Sequence, residues 1–257
     1  MENYKLCFII AHRYYRNYKS YMKFYVENIN KFYKNSLIII VDNNSKYFDD
    51  IKKLLNNYEN IIFLINNSEC KFEIGAYNVG INYIINNNLI EKYNYYIFSQ
   101  DTFVLKNKCD FNNLSNNNIL ACAFNHLENI PYDCNFNIYD PICINILNKI
   151  NIYDKLSNFG LCWCCSFILH NSKVLDYYNI VKYEIITSRF GGSVQSERYL
   201  SGILYYLNNN KYISLCGDSS SPSILGYDCW NVDIENNNLP NFFIKTVQQK
   251  TENTIDE

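Results

Sequence analysis

Four apolar runs in the first hundred residues each end on side chains able to bind ligands or move protons. His12 and Arg13 follow the first run and Asp42-Asn43-Asn44-Ser45 the second. Asn66-Asn67-Ser68-Glu69 follows the third, and Ser99-Gln100-Asp101-Thr102 the fourth. An aspartate at a strand end, such as Asp42, can accept a hydrogen bond from a ligand N–H. Asp101 offers carboxylate oxygens, the donors that Mg²⁺ and Mn²⁺ choose. His12 and Arg13 place an imidazole and a guanidinium side by side. Asn78, flanked by Gly75 and Gly80, carries both a donor and an acceptor where missing side chains let a backbone come close to a ligand. Glu197, at the head of a helical pattern, suits a general base, because the helix dipole favours a carboxylate there. It suits equally a carboxylate that only supports its helix. His170 closes a strand-like run, where it serves as a second cation ligand beside Asp101, lines a site, or caps the next helix. His126 and Asp218 are further candidate cation ligands, and Asp133, Asp140 and Asp228 lie in loop-like stretches. Any one polar strand end is ordinarily a turn or a cap. Four in succession are harder to explain that way.

These residues have to be positioned by an alternating pattern of elements. Residues 6–11, 37–41, 61–65 and 95–98 are short, nearly continuous apolar runs, the signature of strands buried on both faces. Between them, residues 18–33 place Tyr21, Phe24, Tyr25, Ile29 and Phe32 at helical spacing, and 49–57 and 74–86 also predict helices. Strands separated by helical crossovers mean βαβ units and a parallel sheet. In such sheets ligands bind beyond the carboxyl ends of the strands, where the polar series falls. The second half is less regular. Strands are expected at 119–124, 163–169 and 211–216, helices at 172–178 and 197–207, and loops at 131–141 and 219–222. Ser193 or Ser196 is the expected cap of the 197–207 helix. Trp163 and Trp230 fit core positions or a stacking surface for a sugar.

Composition narrows the classes. The 257 residues carry 23 Lys and Arg against 25 Asp and Glu, so no basic excess recruits nucleic acid. No apolar run approaches the ~18 residues of a membrane span, and the first dozen residues lack a signal-peptide core and cleavage site. An aromatic content of 17% is too high for a disordered chain. The 43 Asn, matching an AT-rich coding bias, fall mostly between elements, where Asn tolerates turns. The 11 Cys lie largely in apolar runs without paired metal-ligand spacing, which predicts buried thiols in a reducing compartment.

Ile38-Ile39-Ile40-Val41-Asp42-Asn43-Asn44-Ser45 resembles the VDNxS signature of GT-A nucleotide-sugar glycosyltransferases, family 2-like enzymes above all. Gly75, Ala76, Asn78 and Gly80 match the small and polar positions of that family's helix start, and Ser99-Gln100-Asp101 falls where it carries a DxD motif. Residues 165–169 followed by His170 resemble its acceptor-side strand, and Ser196-Glu197-Arg198-Tyr199 the acidic pair opening a helix. The resemblance implies a single α/β domain of GT-A, Rossmann-like type, with a mixed, mainly parallel sheet flanked by helices. Residues 1–246 would form it, about 1–105 as a nucleotide-binding half and 106–246 as an acceptor half, with 247–257 a polar disordered tail. It implies transfer, by inversion, of a sugar from a nucleotide donor to a glycan or other hydroxyl acceptor. His12, Arg13, Asp42, Asn44, Gly75, Asn78 and Gln100 would bind the donor, with Asp42 on the nucleobase. Asp101 and His170 would hold Mn²⁺ or Mg²⁺, and Asp101 and Glu197 would be catalytic. The departure is Ser99, where a DxD has aspartate, and it motivates a second expectation, a binding module without catalysis. A nucleotidyltransferase would show glycines after the first strand, and residues 12–17 have none. The Asn-, Ile-, Tyr- and Lys-rich composition also resembles that of giant-virus proteins, implying host cytoplasm or a virus factory.

Overall fold

In the computed structural model the described residues are 5–13, 21–105, 108, 119–121, 141–158, 162, 165–187, 194–210 and 243–245. Strands β1 (Leu6–His12), β2 (Leu37–Asp42), β3 (Ile61–Ile65), β4 (Tyr95–Gln100), β6 (Ile119–Ala121) and β7 (Phe167–His170) form one sheet in the order β3-β2-β1-β4-β7-β6. The first four are parallel, whereas β7 runs antiparallel to both β4 and β6. The sheet is thus mixed, mainly parallel and flanked by helices, a Rossmann-like α/β arrangement. Two short strands, β5 (Phe103–Leu105) and β8 (Phe243–Lys245), pair separately.

Period-two alternation divides the core. Leu6, Phe8 and Ile10 of β1, with Ile38, Ile40, Tyr95 and Ile97, pack under α1 (Met22–Phe32) and α2 (Phe48–Leu54). Cys7, Ile9 and Ala11, with Ile39, Val41, Tyr96 and Phe98, face α3 (Phe72–Asn86), α4 (Pro141–Lys149), α5 (Asn171–Val181) and α6 (Val194–Leu207). Every β1 residue is buried, which is why that run shows no polar face. Burying each Ile side chain contributes about 1.5–3 kcal/mol. At Gly80 a Cβ would lie 2.6 Å from Ile9 Cγ2, so α3 sits directly on β1.

Boundaries differ from the sequence expectations for identifiable reasons. Helix α1 begins at Met22, with 14–20 outside the described residues. Helix α3 begins at Phe72, two residues early, because its start is held by loop contacts invisible to periodicity. Helix α4 was not anticipated, and Pro141, expected to close a loop, opens it, as proline does at a first helical position. Short strands β5 and β8 carry too little pattern to be read locally. The expected features at 131–140, 211–216, 219–222 and 247–257 lie outside the described residues, as do His126, Asp133, Asp140, Asp218, Asp228, Ser193, Trp163 and Trp230. The five described cysteines are free and buried, as expected. Among the described residues no helix is long and apolar enough to cross a membrane.

Candidate functional site

Strand register assembles the site. In β1 and β2, His12 stands opposite Asp42, and in β1 and β4, Ala11 stands opposite Gln100, so Asp101 continues alongside His12. Neighbouring parallel strands lie ~4.8 Å apart and register partners project to one face. A histidine is thereby set between two aspartates purely by where three strands stop. His12 Nδ1 is 2.7 Å from Asp42 Oδ1, and the ring is tilted against Phe48 of α2 at a centroid distance of 5.7 Å. Its Nε2 lies 3.8 Å from Asp101 Oδ2, within ion-pair range and beyond a direct hydrogen bond. Asp42 also accepts from the backbone N–H (2.5 Å) and hydroxyl (2.7 Å) of Ser45. That hydrogen bonding, together with burial, gives Asp42 a different place from the one expected. It is fully enclosed, orients His12 and closes the turn after β2, and it is not presented to a ligand base. Asn44 takes the left-handed corner of this turn (φ 60) and is exposed there.

Asp101 is the carboxylate at the opening, its side chain 12% exposed. Its Oδ2 accepts the Arg13 backbone N–H at 3.0 Å, and its own N–H donates to Ala11 O at 2.9 Å. Arg13 therefore contributes to the site through its backbone. Strand order reverses between β1 and β4, since β2 and β3 extend one way from β1 and β4 lies on the other side. In open α/β sheets ligands bind at such a switch point beyond the strand ends, and His12, Arg13 and Asp101 stand there, His12 almost fully enclosed and Asp101 bordering solvent.

Alternation sends the neighbouring side chains of β4 elsewhere. Ser99 is buried and its Oγ is 2.8 Å from the Tyr25 hydroxyl of α1, so it does not stand in for the first aspartate of a DxD. Gln100 faces α3, where its Nε2 donates to Glu73 Oε1 at 2.5 Å and its Oε1 accepts from Thr102 Oγ1 at 3.2 Å. Sequence reasoning missed Glu73 by starting the helix at Ile74. An acidic residue in a first helical turn was the available signal.

The α3 start is tightly held. Phe72 adopts φ 58, rare for a bulky residue and costing about 1–3 kcal/mol, and its carbonyl accepts from Asn43 Nδ2 at 3.3 Å. Asn66 Nδ2 bridges Asn43 Oδ1 and Cys70 O, and Lys71 N–H donates to Ile186 O. A Cβ on Gly75 would lie 1.9 Å from Cys70 O. Packing thus accounts for Gly75 and Gly80, which were expected to admit a nucleotide. Asn78 likewise faces α5, with Nδ2 3.5 Å from Val181 O, two turns from the helix start. Glu197 sits in the first turn of α6. Cys162 N–H donates to Glu197 O and Cys165 N–H to Cys162 O. Cys165 precedes β7, whose Phe167 pairs with Phe98, so this segment reaches the same end of the sheet. Burial pushes the Cys165 thiol well up, and the charges of Glu73 and Glu197 add to it. Ser196 lies inside α6 and contacts Cys165 Sγ at 3.2 Å, so it is not the cap. Arg198 is 1% exposed, and burial lowers its pKa to about 10.

His170 is removed from the site altogether. It pairs with Tyr95 at the start of β4, six residues from Asp101, which is about 20 Å along a strand. Its Nδ1 accepts from Ser172 N–H, capping α5. The antiparallel direction of β7 is the reason: its last residue lands at the opposite end of the sheet. Among the described residues no three His, Cys, Asp or Glu side chains converge as a metal cage. Asp101 with His12 Nε2 suits only a cation that takes its remaining ligands from substrate oxygens and water.

No family model and no curated protein sequence matches the chain. Among solved structures, galactosyltransferase LgtC in complex with donor and acceptor sugar analogs is similar with a TM-score of 0.45 and 13% identity, over 94% of this chain and 86% of that one. The 4-diphosphocytidyl-2C-methyl-D-erythritol synthase of Anaerococcus prevotii is similar with a TM-score of 0.45 and 10% identity, over 82% and 86%.

Proposed function

We propose that the chain is a nucleotide-sugar glycosyltransferase whose donor binds at the crevice between the carboxyl ends of β1 and β4. The observation that carries this reading is the placement of His12, Arg13 and Asp101 at the topological switch point, with Asp42 behind them as support. The resemblance of Ile38–Ser45 and of Ser196–Tyr199 to glycosyltransferase motifs supports it as well. In this reading Asp101 is the donor-side carboxylate, and Arg13 and Asn44 border the nucleotide, with Gln100 turned away toward α3. Asp101 and His12 would hold a divalent cation together with the diphosphate. That cation, when bound, neutralises charge on the departing phosphates. Glu197, at the same end of the sheet on the acceptor side, is the general base that takes the acceptor hydroxyl proton in an inverting transfer.

Hydrolysis and transfer assays with a panel of nucleotide-sugars and Mn²⁺ test the proposal. Wild type should turn over at least one donor, and Asp101→Ala should lower that rate about a hundredfold or more. Equal rates in the two proteins contradict it. The spent Ser99 hydroxyl favours one second reading, a non-catalytic nucleotide-sugar-binding module. Calorimetric binding of a donor without hydrolysis or transfer selects that reading.

A further inference from the structure

We propose that Glu73 is a positioning residue for the Asp101 carboxylate, acting through Gln100. Glu73 is the second residue of α3. Lys71, at the N-cap, makes no side-chain capping bond, and its N–H donates instead to Ile186 O. Glu73 reaches across to β4 and accepts from Gln100 Nε2 at 2.5 Å. The other end of the same amide accepts from Thr102 Oγ1, so Gln100 ties together the residues on either side of Asp101. With Gln100 held against α3, Asp101 next to it projects to the opposite face of the sheet, the face that His12 of β1 also occupies. There Asp101 meets the Arg13 N–H and lies 3.8 Å from His12 Nε2.

The anchor is rigid. The left-handed Phe72, the Asn43–Phe72 and Asn66–Cys70 hydrogen bonds and the close approach of Gly75 to Cys70 O fix where α3 starts. Glu73 therefore transmits the position of a packed helix to a short strand end. The effect needs a hydrogen-bond acceptor at position 73 and not its charge, which separates positioning from electrostatic work. For its consequence in ligand binding the proposal rests on the nucleotide-sugar reading; its geometry stands apart from it.

The test is amide hydrogen exchange at Arg13, whose N–H is held by Asp101 Oδ2, in wild type, Glu73→Ala, Glu73→Gln and Gln100→Ala. Loss of the tether should speed Arg13 exchange about five- to tenfold in Glu73→Ala and Gln100→Ala, with the Ile9 amide unchanged as a control for global opening. Glu73→Gln keeps an acceptor and should stay within about twofold of wild type. Donor affinity should follow the same order. Unchanged Arg13 exchange in Glu73→Ala or in Gln100→Ala overturns the proposal, as does a Glu73→Gln that behaves like Glu73→Ala. A wild type that binds no nucleotide-sugar overturns the functional reading alone, because the exchange pattern still decides the role of Glu73.

Discussion

His12 and His170 each close a strand of the same sheet, yet they sit in opposite surroundings. His12 is 1% exposed, held at 2.7 Å by Asp42 and faced by Asp101. His170 lies at the other end, T-shaped against Tyr95, and its ring nitrogen caps α5. The neighbours differ in kind as well. One end carries the enclosed Asp42, the partly exposed Asp101 and a strained helix start, the other backbone-tethering contacts such as Lys5 N–H to Asn94 Oδ1. A polar strand end thus says little by itself. The direction of its strand decides whether it reaches the crevice.

The largest effect should come from Asp42→Ala. It strands the His12 Nδ1–H and two Ser45 donors in a buried place, costing about 3 kcal/mol in denaturant unfolding. Donor binding should be lost with it. A shift below about 1 kcal/mol would make the His12–Asp42 pair incidental. Asp101→Ala comes next and should divide the two properties: donor turnover collapses while stability changes by about 1 kcal/mol or less, because this carboxylate borders solvent. Gly80→Ala should cost about 1–3 kcal/mol through the clash with Ile9, with donor affinity unchanged; a lower donor affinity at equal folded fraction would return this glycine to the site. At the opposite end, His170→Ala should remove a cap at a cost of about 1 kcal/mol and leave donor affinity unchanged.

The smallest effect is one of pH. Burial lowers the His170 pKa, with Glu91 partly opposing it. The unfolded chain then takes up a proton first, so the stability contribution is intact above the ordinary histidine value of about 6.5. It declines as pH falls through that value, until the folded His170 protonates too. His170→Ala should flatten this limb in unfolding measured from pH 8 to 5, and an unchanged profile would assign the limb to another group.

Much of this was legible because β1, β2 and β4 are buried on both faces, and continuous apolar runs mark such strands plainly; the edge strand β3 has the same apolar run though it is half-exposed. The stopping points of β1, β2 and β4 were legible too, as His12, Asp42 and Asp101 end those runs. Direction was not. Nothing local distinguishes an antiparallel β7 from a parallel one, and that alone moved His170 by the length of a strand. Burial also hid the division of labour within the turns: Asp42 and Asp101 look alike in sequence, yet one is enclosed by Ser45 and His12 and the other opens to solvent. The glycines of α3 invite a ligand in sequence and meet Cys70 and Ile9 in three dimensions.

The central claim is that a nucleotide-sugar binds where β1 and β4 end and nowhere near β7's last residue. Titration calorimetry of wild type, Asp101→Ala and His170→Ala with UDP-, GDP- and dTDP-sugars in Mn²⁺ tests it most directly. The account predicts binding of at least one donor by wild type, about a hundredfold weaker binding by Asp101→Ala, and unchanged binding by His170→Ala. Equal affinity in wild type and Asp101→Ala, or a loss confined to His170→Ala, would contradict it.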